Sequence, residues 1–153
     1  MIRLVYFTPA KGLTTELTLE ELPKALQDAD GIVWVDFENT PPEEDEPILR
    51  ELFGFHPLAI DDALQETHVP KIDDWDDYLY IVLQAVSLDD EQPIGDLIIE
   101  ELDVFLGKQY MVTHHNQSIP AVEHLRDAVV RDHRALKNGA DALLYRLVDE
   151  VVA

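Results

Sequence analysis

Apolar runs and the residues that interrupt them divide the chain into strands and helices. "IRLVYF" (Ile2–Phe7) has the β-rich, apolar character of a strand, ended by Pro9 and Gly12. "LTTEL" predicts a short edge strand after it. Thr18 and Glu21 have capping-box spacing, which predicts a helix from Thr18 to about Gln27, with Pro23 in its first turns. "GIVWVDFE" (Gly31–Glu38) is a second strand. "NTPPEEDEPILRELFG" predicts a loop and then a helix. Acids crowd its first turn, where the helix dipole favours them, and Gly54 ends it. Pro57 suits the first position of a further helix, "PLAIDDALQ", and Pro70 closes that segment.

The second half follows the same logic. "YLYIVLQAVS" (Tyr78–Ser87) is nearly all apolar in its first half, as a strand buried on both faces would be. "DLIIEELDVFL" and "QYMVTHH" flank Gly107-Lys108, a pair that suits a two-residue type II′ hairpin turn. Ser118 stands as N-cap of a helix from Ile119 to Leu136, with Val122, Leu125 and Val129 at helical spacing. Asn138-Gly139 breaks it, and "ADALLYRLVDEVV" forms another, striped by Leu143, Leu144, Leu147, Val148, Val151 and Val152. That stripe stops without a cap, which suggests a segment of a longer chain. Strands interleaved with helices predict one domain over residues 1–153, a mixed sheet covered by helices, of the α/β class.

Charge changes this picture more than composition does. The 46% hydrophobic content is ordinary, but 32 acids face 11 bases, a formal charge of −21. Such a surface repels phosphate backbones and anionic lipids, so nucleic acid is not the expected partner. Cations or a basic partner are its natural counterparts, and a merely solvated, salt-adapted surface is the plainer alternative. The chain has no cysteine, which excludes disulfides, thiolate zinc sites and thiol catalysis. Its start does not resemble a signal peptide, and no run approaches the roughly 18 apolar residues of a membrane span, so the chain reads as soluble.

Seven acids lie between Phe53 and Gln84: Asp61, Asp62, Glu66, Asp73, Asp74, Asp76 and Asp77. On the short helix Ile60, Ala63 and Leu64 share one arc, while Asp61, Asp62 and Gln65 fall opposite, with Leu58 between them. The two carboxylates diverge by about 100°. They suit two separate outward contacts better than acid/base work on one bond, and a plain solvated face is the reading that the spacing alone favours. "KIDDWDDY" could collect divalent cations, but it lacks the Gly-centred spacing of a calcium loop. Its plainer reading is a solubilising guard beside an aggregation-prone strand. His114-His115 ends a strand, where neighbours face opposite ways, so the pair does not easily share a metal. His56 precedes a helix and caps it. His68, His124 and His133 show no ligand spacing. No phosphate loop, nucleophile elbow or zinc-protease motif is present, so an enzyme is not expected.

Three stretches carry a resemblance: "FGFHPLAIDDALQETHVPKIDDWDDYLYIVL", "IEELDVFLGKQYMVTHHN" and "ADALLYRLVDEVV". In order and spacing they resemble the cytoplasmic N-terminal domain of the CorA family of divalent-cation transporters, strongly from Gly31 onward. The resemblance implies an α/β/α sandwich in the cytoplasm, part of a homopentameric inner-membrane protein that moves Mg2+ or, in relatives, Co2+, Ni2+ or Zn2+. It also implies a stalk helix and two membrane helices, with a Gly-Met-Asn signature, outside this sequence. By the same resemblance, acids of this domain bind regulatory Mg2+ between subunits. Asp62 matches the acid that faces a neighbour's stalk acid. Asp61, in place of the commoner Glu, and Asp149 match a second site. Mg2+ there would bridge carboxylates that otherwise repel, so its loss loosens the interface. The rival expectations are a Zn2+ or Co2+/Ni2+ transporter domain without a Mg2+ gate, a soluble acidic binding module, and a metal-dependent hydrolase.

Overall fold

The computed structural model describes residues 1–65, 69–89 and 96–152. Glu66 and His68 lie outside these. The strands are β1 (Ile2–Thr8), β2 (Gly12–Thr14), β3 (Ile32–Glu38), β4 (Lys71–Asp74), β5 (Leu79–Asp89), β6 (Asp96–Leu106) and β7 (Tyr110–His115). Among the described residues they form one seven-stranded sheet in the order β2-β1-β3-β7-β6-β5-β4. Neighbours pair antiparallel, with the exception of β3 and β7, which run parallel with Val33 beside Tyr110 and Glu38 beside His115.

The helices are α1 (Leu22–Leu26), α2 (Pro42–Pro47), α3 (Pro57–Gln65), α4 (Pro120–Arg131), α5 (Arg134–Lys137) and α6 (Ala140–Val152). β3 is apolar on both faces because both faces are covered. Val33, Val35 and Phe37 point into a core with Leu22, Leu49, Phe55 and Ile60, under α1, α2 and α3. Ile32 and Trp34 point the other way, onto Val122, Leu125, Leu136, Leu143 and Leu147 of α4, α5 and α6. The result is the helix–sheet–helix sandwich that the pattern predicts.

Strands β1, β3, β6 and β7, the Pro57–Gln65 helix and the final helix stand where the hydrophobic pattern put them. Others differ. Thr18 and Glu21 do bond, through Thr18 Oγ1 to Glu21 Oε1 at 2.9 Å, but they close a turn, and α1 begins only at Leu22. Pro23 without its N–H fits just inside that start. α2 continues as a widened π turn over Ile48–Leu52. Gly54 ends it at φ 71, and the Phe55 N–H reaches the Leu49 carbonyl at 3.1 Å. The Gly107-Lys108 turn is displaced. Leu106 faces Met111, and the Gly107 N–H bonds the Tyr110 carbonyl at 3.0 Å, so Lys108 and Gln109 form the tip. Gly107 serves as clearance instead: a Cβ there would lie 2.2 Å from the Tyr110 ring.

The long helix after Ser118 is two. Ile119, not Ser118, occupies the N-cap, and Asp132 breaks the run in extended conformation. The Asp132 carboxylate then accepts the Arg134 N–H at 3.1 Å and opens α5. β4 is an edge strand that the sequence pattern did not separate from the acidic stretch. β5 is buried on both faces only at Tyr80, Ile81 and Val82; Val86 and Leu88 are exposed.

The two core clusters are built from apolar side chains. Phe105 lies fully buried and stacked on Phe55, centroids 4.2 Å apart. Phe105→Ala should cost about 3–5 kcal/mol and lower Tm by on the order of 10 °C. Thermal circular dichroism in excess chelator should show one cooperative transition for the unsubstituted chain. A chain that folds only when a divalent ion is added contradicts this account.

Candidate functional site

α3 presents the predicted carboxylates, and its start is fixed by aromatic packing. Pro57 opens the helix, and His56 Nδ1 accepts the Leu58 N–H at 3.1 Å, the capping role expected of it. The His56 N–H in turn donates to the Tyr78 hydroxyl at 2.8 Å, and the His56 ring stacks on Trp75 at 4.5 Å. Ala59, Ile60 and Ala63 are buried against the sheet. Asp61 is exposed and has no ion-pair partner among the described residues.

Asp62 is half-buried and engaged. Lys71, on β4, brings Nζ to 2.6 Å from Asp62 and 3.0 Å from Asp73. Hydrogen bonds to these two carboxylates push the Lys71 pKa up. The same ammonium lies 5.5 Å over the Tyr80 ring. Tyr80 donates to Asp103 at 2.6 Å, and burial, then the Asp103 charge, pushes its phenol far up. The "KIDDWDDY" acids are therefore not a uniform solvated cluster. Asp73 shares a cation with Asp62, and Asp74 Oδ1 accepts the Asp76 N–H at 2.9 Å, holding Asp76 at φ 69.

Asp149 is exposed on α6, across the sheet from α3. One chain thus brings Asp61 and Asp62 together and leaves Asp149 in the opposite layer. Among the described residues no three His, Asp or Glu side chains converge to hold a metal ion.

The two histidines of β7 point to opposite faces, as adjacent strand residues must. His114 Nε2 lies 2.9 Å from Asp45 Oδ2, both groups buried under α2. His115 belongs to a larger network that sequence reasoning missed. Its Nε2 is 2.7 Å from Asp36 Oδ1 and its Nδ1 is 2.6 Å from the Gln117 carbonyl. Both partners are acceptors, so only the doubly protonated ring can donate to both. Asp36 Oδ1 also accepts from Thr113, which accepts from Trp34 Nε1. Arg3 Nη2 lies 2.6 Å from Asp36 Oδ2, and its fork grips Glu123 of α4 at 2.7 and 3.0 Å. Burial pushes the Asp36 carboxyl up, but hydrogen bonds from His115, Thr113 and Arg3 carry it below the usual range. Burial pushes the His115 ring down, and the Asp36 bond and charge outweigh it, leaving the ring raised. The available signal was an acid inside "IVWVDFE", on the same strand face as Trp34.

A helix-covered α/β sandwich whose surface chemistry is carboxylate is the class that fold and site define. The CorA-like Mg2+ transporter protein family model matches residues 29–153, and the chain belongs to that family. It is 34% identical over 119 residues to YfjQ of Bacillus subtilis, described as a metal ion transporter, covering 78% of this chain and 35% of that one. It is 30% identical over 104 residues to the cobalt/magnesium transport protein CorA of Thermotoga maritima, covering 67% of this chain and 29% of that one. The chain thus spans about a third of the length of these curated relatives. The soluble domain of CorA from Methanocaldococcus jannaschii superposes with a TM-score of 0.69 over 97% of this chain and 55% of that one, at 16% identity. The ZntB cytoplasmic domain from Vibrio parahaemolyticus gives 0.69 over 98% of this chain and 57% of that one, at 13% identity. These last two share the fold. Among the described residues no helix is long and apolar enough to cross a membrane.

The buried network makes a pH prediction. The His115 pKa is raised above its ordinary 6.5, so its contribution is complete below that value and is lost as pH rises through the folded-state pKa. Asp36 is depressed below its ordinary 3.8, so its contribution is present above that value and is lost as pH falls through the folded one. The charged groups facing them are Arg3, Glu38, Glu123 and Arg126. Urea midpoints should therefore decline as pH rises above about 6.5, and ring 15N shifts should show His115 protonated on both nitrogens near neutrality. A neutral ring there contradicts the assignment.

Proposed function

We propose that this chain is the cytoplasmic, Mg2+-sensing regulatory domain of a CorA-like divalent-cation transporter, assembled as a homopentamer at the inner membrane. Family membership supports transport of a divalent cation, and the Thermotoga maritima relative carries cobalt and magnesium in its name. The observation that carries the sensing role is the arrangement on α3. Asp61 projects into solvent without an ion-pair partner among the described residues, and Asp62 is balanced only by a lysine it shares with Asp73. Asp149, in the other layer, would serve a different subunit boundary. Each carboxylate is half a site, completed by acids of a neighbouring subunit, with Mg2+ retaining most of its water. Mg2+ occupancy relieves repulsion across the boundary and favours the closed assembly; depletion releases it. Co2+ would use the same oxygen atoms.

Lys71 is then a resident competitor of Mg2+ for Asp62. In the full-length transporter, Asp62→Asn should reduce the dependence of flux on internal Mg2+ with little effect on folding. Lys71→Met should shift closure to lower Mg2+, by about two- to five-fold for loss of one half-exposed ion pair. Asp73 shares Lys71, so the informative control is exposed Asp77→Asn, expected to leave the dependence unchanged. Flux in reconstituted vesicles at graded internal Mg2+ is the measurement. Unsubstituted behaviour in Asp62→Asn would assign the sensing to other carboxylates.

A further inference from the structure

Aromatic rings stack from the core toward one end of the sheet. Phe105 of β6 is fully buried, and Phe55 lies 4.2 Å from it at an interplanar angle of 9°. Phe53 follows Phe55 at 5.2 Å and 11°. The widened turn over Ile48–Leu52 and the left-handed Gly54 set these two rings face to face. Tyr110 leans on both, at 5.2 and 5.8 Å. Phe105 and Phe55 are covered, whereas Phe53 is half-buried and lines a cavity of about 830 Å3. That volume lies in the range of ligand pockets. Phe53, Tyr78 and Tyr110 give the cavity an aromatic wall, and Leu52 and Leu106 add aliphatic surface.

Carboxylates supply the polar side of the same cavity. The β4–β5 turn is held by the Asp77 N–H on the Trp75 carbonyl at 2.9 Å, with Asp76 in left-handed backbone, and it delivers both acids to the cavity. Asp141, in the first turn of α6, is the third. All three are exposed and form no ion pair among the described residues. Lys108, at the β6–β7 tip, is the one base among the lining residues, and it pairs with none of them. The Tyr110 hydroxyl has no hydrogen-bond partner among the described residues. Burial, then the neighbouring Tyr78 and Asp77, push that phenol up. We propose that this cavity binds a guanidinium group on an aliphatic stem, as in an arginine side chain. The delocalised plane stacks on an aromatic ring, here Phe53, while its N–H fork donates to carboxylates and to a phenol oxygen. An ammonium is more strongly hydrated and does not stack, so it gains less. Three acids against one lysine reject an anion. Among the described residues no three acids or histidines converge on one metal ion, whereas a guanidinium fork reaches carboxylates that stand apart. The proposal uses none of Asp61, Asp62 and Asp149, so it stands or falls separately from the Mg2+ reading.

The test titrates the intact chain with acetyl-arginine-amide and follows backbone amide shifts by NMR. Acetyl-citrulline-amide has the same shape without the charge, and acetyl-lysine-amide has the charge without the plane. The arginine compound should bind about tenfold or more tighter than the citrulline one, and about threefold or more tighter than the lysine one. The shifts should centre on Phe53, Asp77 and Gly107. Methylguanidinium should compete for the same residues. Equal affinity for it and the arginine compound supports a free small cation as occupant, and weaker methylguanidinium binding supports an arginine of a protein partner. Asp77→Asn and Phe53→Leu should each lower affinity about two- to fivefold, and together about tenfold. Asp77 is exposed, so Asp77→Asn should keep the unsubstituted Tm. Lys108→Gln removes the competing base and should strengthen binding. Asp127→Asn removes the same charge from the exposed side of α4 and should leave affinity unchanged. Equal binding of the arginine and citrulline compounds, equal binding of the arginine and lysine compounds, shifts centred elsewhere, or unchanged affinity in the Asp77→Asn, Phe53→Leu double variant would each overturn the proposal.

Discussion

The fold turns on a charge that cannot be left alone. Asp36 is buried in the middle of β3, and its carboxylate is satisfied only when three other elements are in place. Arg3 arrives from β1, Thr113 and His115 from β7, and Arg3 is itself held by Glu123 of α4. An uncompensated buried charge costs about 3–5 kcal/mol, comparable to a large fraction of the stability of a domain. The network therefore fixes register as well as energy. A one-residue slip of β3 would swing Asp36 into the apolar layer around Val35 and Phe37 and turn those residues toward Arg3. Hydrophobic pattern alone would not resist this slip as sharply, because β3 is apolar on both sides.

The same sheet separates two electrostatic environments. Beneath α4 the charges are paired, Arg3 and His115 against Asp36 and Glu123, with Asp36 and His115 buried and Arg3 and Glu123 partly so. Beyond α3 they are solvent-facing and under-compensated, with Lys71 shared by Asp62 and Asp73. The first arrangement ties several elements together, and the second leaves its carboxylates open to solvent. His114 and His115 mark the division, since consecutive residues of β7 send one imidazole to Asp45 under α2 and the other to Asp36 under α4. The acidity of the chain thus has more than one origin, with some carboxylates structural and others solvent-facing.

What could be read from sequence was what depends on neighbours along the chain. The β3 and β7 strands, the Pro57 start of α3, the His56 cap and the Gly54 stop all follow from local rules. Asp61 and Asp62 were placed correctly on the outer arc of α3 for the same reason. The misses come from side-chain contacts that the hydrophobic pattern does not encode, several of them long-range. Asp132 breaks a good helical pattern because its side chain captures Arg134 and because His133 stacks on Phe7 at 5.4 Å, far away in sequence. β4 resembles a solvated acidic tract because its strand character comes from pairing with β5. The Gly107 hairpin chose its register to clear the Tyr110 ring. Lys71 was invisible as a counter-charge because its partner Asp62 sits on a different element.

The parallel junction of β3 with β7 has a consequence for how the chain comes to be folded. β7 is made about half the chain after β3, so β1 and β3 can pair early while the far edge of β3 waits open. Such an edge, lined by Val33, Val35 and Phe37, invites pairing with any passing strand during synthesis. Asp36 stands in its centre, and an intruding strand without a matching histidine and threonine would leave that buried carboxylate with Arg3 alone, its Oδ1 unsatisfied. The residue that locks the finished sheet is also a chaperone of sorts for the unfinished one, holding the vacancy for the strand that carries its partners.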